Sequence, residues 1–331
     1  MANINLTTLE ANTINSLTNP LISQKIADNI TGRIPLLHLM NKLGHKEFEN
    51  GGIEYRFPLF KELATAQAYS GLTVLTNSEK DPVTSGILFR KHLTTDITLS
   101  GTNLLQNSGG DPTAQVNYIT AQVEMAEESI KNTLAGDSLG LFSSAADGAL
   151  GVTGLQTMLP DSTSTGTYAG NDRASQTFWQ HKSDSVSTGF NTDGLVSMRA
   201  LQLATVRGDE APTVIIMTSN GYANLDRALT GTVHYNNPSP KTQFGDVGFE
   251  HINFKGSIVL FDDGVPTNRA YFLNLKYLKL LVHQMRDMAI RDFITPSNQD
   301  AIVGRMYWAG NLVCNNLARQ GLLQGLIETW A

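Results

Sequence analysis

Residues able to do chemistry are present in this chain, but they stand apart from one another. Seven histidines are dispersed along it, and the nearest two, His38 and His45, share one short segment that reads as a surface turn. A zinc site or a hydrolytic base needs such groups in fixed register, as in H-E-x-x-H on one helix face. That run does not occur, and neither does the Gly-Lys dipeptide of a phosphate-cradling loop. A G-x-S-x-G nucleophile elbow is not expected either. Glu124, Glu127 and Glu128 fall within one helical stretch and imitate paired catalytic carboxylates, yet a solvated helix face accounts for them. Asp262-Asp263-Gly264 offers oxygens to a calcium ion but lacks the spacing and the distant glutamate of an EF-hand loop, so it reads as a tight turn. Asp81 beside Lys80, and Asp172 beside Arg173, read as ordinary loop charges. Cys314 is the only cysteine, which excludes an intramolecular disulfide and a cysteine-rich zinc site. No catalytic, cofactor-binding or metal-ligating residue is therefore assigned, and no cofactor is expected. A soluble hydrolase with a triad assembled only in space remains as the alternative from the enzyme class.

Composition points the same way. The 331 residues are 41% hydrophobic but only 16% charged, against the usual quarter. A charge-poor surface fits a chain covered by partners, although abundant Asn, Thr, Ser and Gln could solubilise it alone. The net charge of −6 argues against a protein that grips phosphates, since that affinity comes from Lys and Arg. No apolar run approaches the roughly 18 residues of a membrane-spanning helix. The start, Met1-Ala2-Asn3-Ile4-Asn5, lacks the features of a secretory signal, so the expected place of synthesis is a cytoplasm with no membrane partner.

The elements read as follows. Residues 1–50 form a polar arm, with Leu17, Leu21, Ile22 and Ile26 at helical spacing and a second apolar group at Ile34, Leu36, Leu37 and Leu39. Over residues 51–101, Ile53, Tyr55, Phe57 and Leu59 alternate with polar neighbours. Ile87, Phe89, Lys91 and Leu93, then Ile97 and Leu99, alternate on the return, around a tip rich in turn formers. This predicts one long two-stranded hairpin, which alone is marginal in water and leaves both edges open, so it must lie on another surface. Residues 111–135 predict a helix about 35 Å long, with Asp111 as cap, Pro112 in its first turn and an apolar stripe through Val116, Ile119, Val123, Ala126, Ile130 and Leu134. Glu127 and Lys131 are placed for a pair four residues apart. After a loop-rich stretch come a helix over 192–205, a buried strand over 213–218 and a helix capped by Ser219 or Asn220. Strands over 254–261 and 270–282, and two more over 301–309 and 311–317, complete the chain. Helices and strands mix without a steady βαβ alternation, which makes the class α+β.

This order, together with Gly154-Leu155-Gln156, Thr167-Tyr168-Ala169-Gly170-Asn171-Asp172-Arg173, Phe178-Trp179, Phe254-Lys255-Gly256, Tyr271-Phe272-Leu273-Asn274 and Tyr277-Leu278-Lys279-Leu280, resembles the major capsid proteins of tailed bacteriophages with the HK97-like fold. The resemblance covers roughly residues 40–325. It implies an N-terminal arm (1–50), an E-loop hairpin (51–101), a P domain with a long spine helix (102–145), an A domain (mainly 146–290) and closing strands (291–331). It implies a virion shell subunit assembled in the host cytoplasm as hexamers and pentamers, enclosing double-stranded DNA without sequence-specific binding. A separate scaffolding protein, a portal and decoration proteins would be its partners. Ile53, Tyr55, Arg56, Phe57, Phe89, Arg90 and Leu93 are then the expected inter-subunit contacts of the hairpin. No crosslinking triplet is identified. The alternative within the same fold is an encapsulin-like compartment shell enclosing an enzyme.

Overall fold

The computed structural model describes residues 35–63, 66–75, 79–107, 112–230 and 251–330. The helical spacing at Leu17–Ile26, Ile34, the Asp111 cap and the loop over 231–250 lie outside these residues. In chain order the elements are α1 (Pro35–Lys42), β1 (Lys46–Glu49), β2 (Glu54–Phe60), β3 (Val83–Phe89), β4 (Lys91–Ser100), α2 (Gly101–Asn107), α3 (Pro112–Ala135) and α4 (Leu155–Met158). Two short strands, β5 (Thr167–Tyr168) and β6 (Asn171–Asp172), precede β7 (Lys182–Val186), α5 (Leu195–Thr205), β8 (Val214–Met217) and α6 (Ser219–Thr230). Seven strands close the chain: β9 (Ile252–Phe254), β10 (Ser257–Phe261), β11 (Arg269–Leu273), β12 (Leu278–His283), β13 (Ala289–Ile294), β14 (Ala301–Cys314) and β15 (Gly321–Gly325). Among the described residues, no helix is long and apolar enough to cross a membrane.

The chain divides into two compact units. The larger holds residues 35–91, 133–284 and 310–330, and is organised by a six-stranded sheet in the order β7-β15-β11-β8-β10-β9. Its centre follows from the run Val214-Ile215-Ile216-Met217. All four side chains are buried, as a strand covered on both faces requires. Ile215 and Met217 pack with Met198 and Leu201 of α5 and Leu225 of α6, while Tyr271, across from Ile216, lies 6.0 Å from the Phe142 ring. A β9–β10 hairpin turns on Lys255 and Gly256, both at positive φ, the two-residue geometry that matches strand twist. In a separate ladder of this unit, β1 runs parallel to β12, and β12 antiparallel to residues 310–314 of β14. Helix α1 starts at Pro35, buries Leu36, Leu37, Leu39 and Met40, and stops at Gly44, whose φ of +74° lets His45 N–H donate to the Met40 carbonyl at 2.9 Å.

The smaller unit holds residues 92–132 and 285–309. Within it, β14 is flanked by β4 and β13. Helix α3 matches the expected range, and Lys131 bridges Glu127 at 2.9 Å and Glu128 at 2.7 Å.

Several expectations need correction. The hairpin ladder ends at Glu54–Phe89, and Lys91–Ser100 pairs instead with β14, so the alternation across 51–101 belongs to two different sheets. The strand expected over 270–282 breaks at Asn274, whose side chain accepts from Lys276 N–H and starts a helical turn. The two strands expected over 301–317 are one strand ending at Cys314. Thr218, not Ser219 or Asn220, caps α6, its hydroxyl accepting from Gly221 N–H at 3.3 Å.

Gly264 follows β10 where a side chain would drive into the Ala135 carbonyl and the Phe142 ring. Gly264→Ala is expected to cost about 1–3 kcal/mol of stability, read as a lower denaturant midpoint. An unchanged midpoint would refute that close packing.

Candidate functional site

The scattered chemical groups stay scattered. Among the described residues no three His, Cys, Asp or Glu side chains converge in a way that could hold a metal ion. His38 is exposed on α1. The Asp262 carboxylate accepts from Gly264 N–H at 2.9 Å in the expected turn, and burial pushes its pKa up to about 6. Glu127 and Glu128 are spent on Lys131. Cys314 is buried, and burial pushes its thiol up to about 12, away from reactivity. The G-x-S-x-G spacing does occur, at Gly136-Asp137-Ser138-Leu139-Gly140. It trails the C-terminus of α3 rather than joining a strand to a helix, and Leu141 N–H there donates back to the Leu134 carbonyl at 2.7 Å.

What the large unit does build is a fixed root for the β2–β3 hairpin. The inward side chains Tyr55, Leu59 and Leu88 are buried. Arg90, just beyond β3, donates to the Gly51 carbonyl at 2.9 Å and to the Tyr55 hydroxyl at 3.3 Å, and lies over the Tyr55 ring. Phe57 contacts Trp179 at 6.4 Å between ring centres, and Gly86 opposite it leaves no room for a side chain because the Phe57 ring fills that space. Ile87 N–H donates to the Ala169 carbonyl at 3.0 Å, the Asn171 amide to the Ser85 carbonyl at 3.2 Å, and the Asn311 amide to the Phe89 carbonyl at 2.8 Å.

The surface that receives these contacts is itself rigid. Trp179 stacks on Tyr168 and donates its indole N–H to the Tyr168 carbonyl at 3.0 Å. Arg173, fully buried, spends its guanidinium on the carbonyls of Thr157, Met158 and Thr165. Burial and this guanidinium push the neighbouring His181 down to about 4, so it is neutral near pH 7. Lys91 buries its ammonium against the carbonyls of Asp147 and Ala149, and burial lowers its pKa.

Among the described residues, nothing pairs with either edge of the β2–β3 sheet, which has two strands. Lys61 N–H donates to the Pro82 carbonyl at 2.9 Å and closes the ladder; beyond it, Leu63 is 82% exposed, Tyr69 71%, Leu72 102% and Val74 90%. Of the residues singled out from sequence, Ile53 is 87% and Phe89 47% exposed, and Arg56 is exposed beside Glu54. Phe57 is half-buried on Trp179, Tyr55 and Arg90 belong to the root, and Leu93 is buried on β4, outside the hairpin. The apolar tip, together with Phe60, escaped the sequence reading. Its signal, Leu72-x-Val74 and Leu63 among turn formers, was masked by Gly, Ser and Thr.

No protein-family model matches the chain, and no curated protein is similar to it in sequence. Solved structures do match along nearly the whole length. The capsid asymmetric unit of cyanophage A-1(L) superposes with a TM-score of 0.70 at 16% identity, covering 91% of this chain and 95% of that one. The capsid of Myoviridae phage XM1 gives 0.55 at 12% identity, covering 92% and 96%. The holo-SrpI encapsulin complex of Synechococcus elongatus gives 0.53 at 12%, covering 93% and 95%. The fold is therefore the HK97-like fold of these shells, of mixed α and β composition.

The buried root yields a pH prediction. His181 is held below the ordinary histidine value of 6.5, so the unfolded chain binds the proton more readily. Its contribution is complete above pH 6.5 and is lost as pH falls towards 4, an effect of up to about 3 kcal/mol. Asp262, raised to about 6, acts in the opposite sense, favouring the fold as pH falls from 6 towards 3.8. In thermal melts between pH 7 and 4, His181→Gln should therefore lose less stability than the wild type. A parallel loss in both would show that His181 is not the group titrating.

Proposed function

We propose that this chain is the major capsid protein of a tailed bacteriophage, a structural subunit that assembles with copies of itself into an icosahedral shell around double-stranded DNA. The observation that carries the proposal is the hairpin: rooted by buried aromatic and guanidinium contacts, it holds exposed Leu63, Tyr69, Leu72 and Val74 out on a two-stranded ribbon. A ribbon of that kind is marginal alone, and large exposed apolar groups gathered at one end mark a protein contact. The fold shared with capsid structures supplies the setting.

In this function the residues expected to meet a neighbour are Ile53, Phe57, Phe89 and the tip side chains, while Tyr55 and Arg90 hold the arm in its direction. The division into arm, E-loop, P domain, A domain and closing strands belongs to the same proposal. Copies related head to tail close a ring or shell when the rotation closes, so each tip contact can be weak and still count many times. The shell would be part of a virion built in the host cytoplasm, with a scaffolding protein, a portal and decoration proteins as partners. The chain's acidity suits a wall that does not hold its genome tightly. No reaction is assigned to it. The likeness to the encapsulin complex supports a second reading, a compartment shell around a protein cargo.

Replacing residues 62–81 with Asn-Gly keeps the Lys61–Pro82 closure of the ladder. By electron microscopy, the full chain co-expressed with its neighbouring genes should form closed shells, while this variant should stay folded and form none. Shells from the variant would sink the proposal, and nucleic acid or protein inside wild-type shells would separate the two readings.

A further inference from the structure

The chain carries two Asn-Gly dipeptides, Asn50-Gly51 and Asn220-Gly221. In such a pair the side-chain amide is open to attack by the backbone nitrogen that follows it. Glycine has no Cβ to hinder the approach, and its backbone can turn into it. The reaction further needs an uncommitted nucleophile in a near-attack geometry. The two sites differ on both counts.

Asn50-Gly51 lies between β1, which ends at Glu49, and β2, which starts at Glu54. Residues 50–53 are all exposed and belong to neither helix nor strand. Among the described residues the Gly51 N–H donates no hydrogen bond, and the space a Gly51 Cβ would occupy is empty. Gly52, next along, has a φ of +90°. The Gly51 carbonyl, by contrast, is held by the Arg90 guanidinium at 2.9 Å. A positive charge that close favours the deprotonated form of a neighbouring group. Here that group is the Gly51 amide nitrogen, which must lose its proton to attack. Gly221 is instead buried within α6, and its N–H donates to the Thr218 hydroxyl at 3.3 Å. Side chains of a helix also tilt toward its N-terminus, which takes Asn220 away from the nitrogen that follows it.

We propose that Asn50-Gly51 is a self-modifying site at the foot of the hairpin, which converts to isoaspartate with time and releases the Arg90 tether from Gly51. The Gly51 nitrogen gives up its proton and bonds to Asn50 Cγ. The Cγ–Nδ2 bond breaks, and Nδ2 takes up a proton and leaves as ammonia. Water then opens the cyclic imide. Where it cleaves the original peptide bond, the backbone runs on through Cβ and Cγ and is one methylene longer; where it cleaves the new bond, an ordinary aspartate results. Water enters, ammonia leaves, and no oxidant or cofactor takes part. The lengthened backbone carries the Gly51 carbonyl off Arg90, and a new negative charge arises next to Glu49. Under the assembly function proposed above, on which this last step rests, a chain aged before incorporation presents a loosened hairpin.

The test is to age the full chain at mildly alkaline pH and follow it by peptide mass mapping with isoaspartyl methyltransferase labelling. Asn50 should convert about ten-fold or more faster than Asn220. Gly51→Ala meets open space and a φ outside the left-handed region. It should keep the melting temperature and slow conversion about ten-fold. In hydrogen exchange, the β2 and β3 amides should lose protection in the aged wild type but not in aged Gly51→Ala, and shell yield should fall in the same pattern. Equal conversion at both asparagines, or an unchanged rate in Gly51→Ala, would overturn the site. Conversion that leaves hairpin protection unchanged would overturn the release of the tether. A fresh wild-type chain that forms no shell would sink the assembly function alone, since mass mapping and exchange do not depend on it.

Discussion

A two-stranded ribbon has one layer, and one layer cannot make a core. That limit governs this structure. The ribbon β2–β3 can bury side chains only where another element lies on it, and among the described residues the large unit covers it at the root, through Trp179, Ala169, Asn171 and Asn311. Past Lys61 and Pro82, Leu63, Tyr69, Leu72 and Val74 keep their apolar side chains in water. The rest of the unit can be understood as what is needed to hold such an arm still. Arg173 satisfies three carbonyls inside the loop block, Trp179 and Tyr168 stack beneath Phe57, and Lys91 pins the chain as it leaves the ribbon. A rigid base lowers the ordering cost that a protruding element otherwise carries into any contact it makes.

Titratable groups with displaced pKa values exist here, but each has a structural cause. Burial and Arg173 keep His181 neutral, Asp262 caps a turn, and Cys314 is buried at the end of β14. Among the described residues they do not gather into a group of three that could hold a metal ion.

Local patterns were legible in the sequence, and pairings over long distances were not. The stripe from Ile119 to Leu134 and the run Val214–Met217 carry their own period or length, and the structure places a helix and a buried strand there. The alternation through Ile97 and Leu99 was equally clear, yet its partner is β14, some two hundred residues away, and no period names a partner. The sequence predicts a break at Gly310 between strands over 301–309 and 311–317. Instead the Asn311 side chain is buried in mid-strand, accepting from Thr153 N–H and donating to the Phe89 carbonyl, so a residue that usually breaks a strand ties it to its surroundings. That Arg291 stands opposite Arg305 was invisible for the same reason: it exists only in the register of β13 on β14.

The closure of the ladder at Lys61 and Pro82 has a kinetic consequence. It fixes both ends of the segment between them, so any freedom that segment keeps would be given up on meeting a partner. Some of the contact energy would be consumed in that ordering, leaving a single docked tip loosely held and quick to leave. In the proposed shell of many copies this would be an advantage. A subunit added in the wrong orientation, with one tip engaged, would detach before others build on it, whereas a correctly placed one would be retained by several tips at once. The tip would then set how fast errors are erased during growth, a property of the shell's annealing rather than of its final strength.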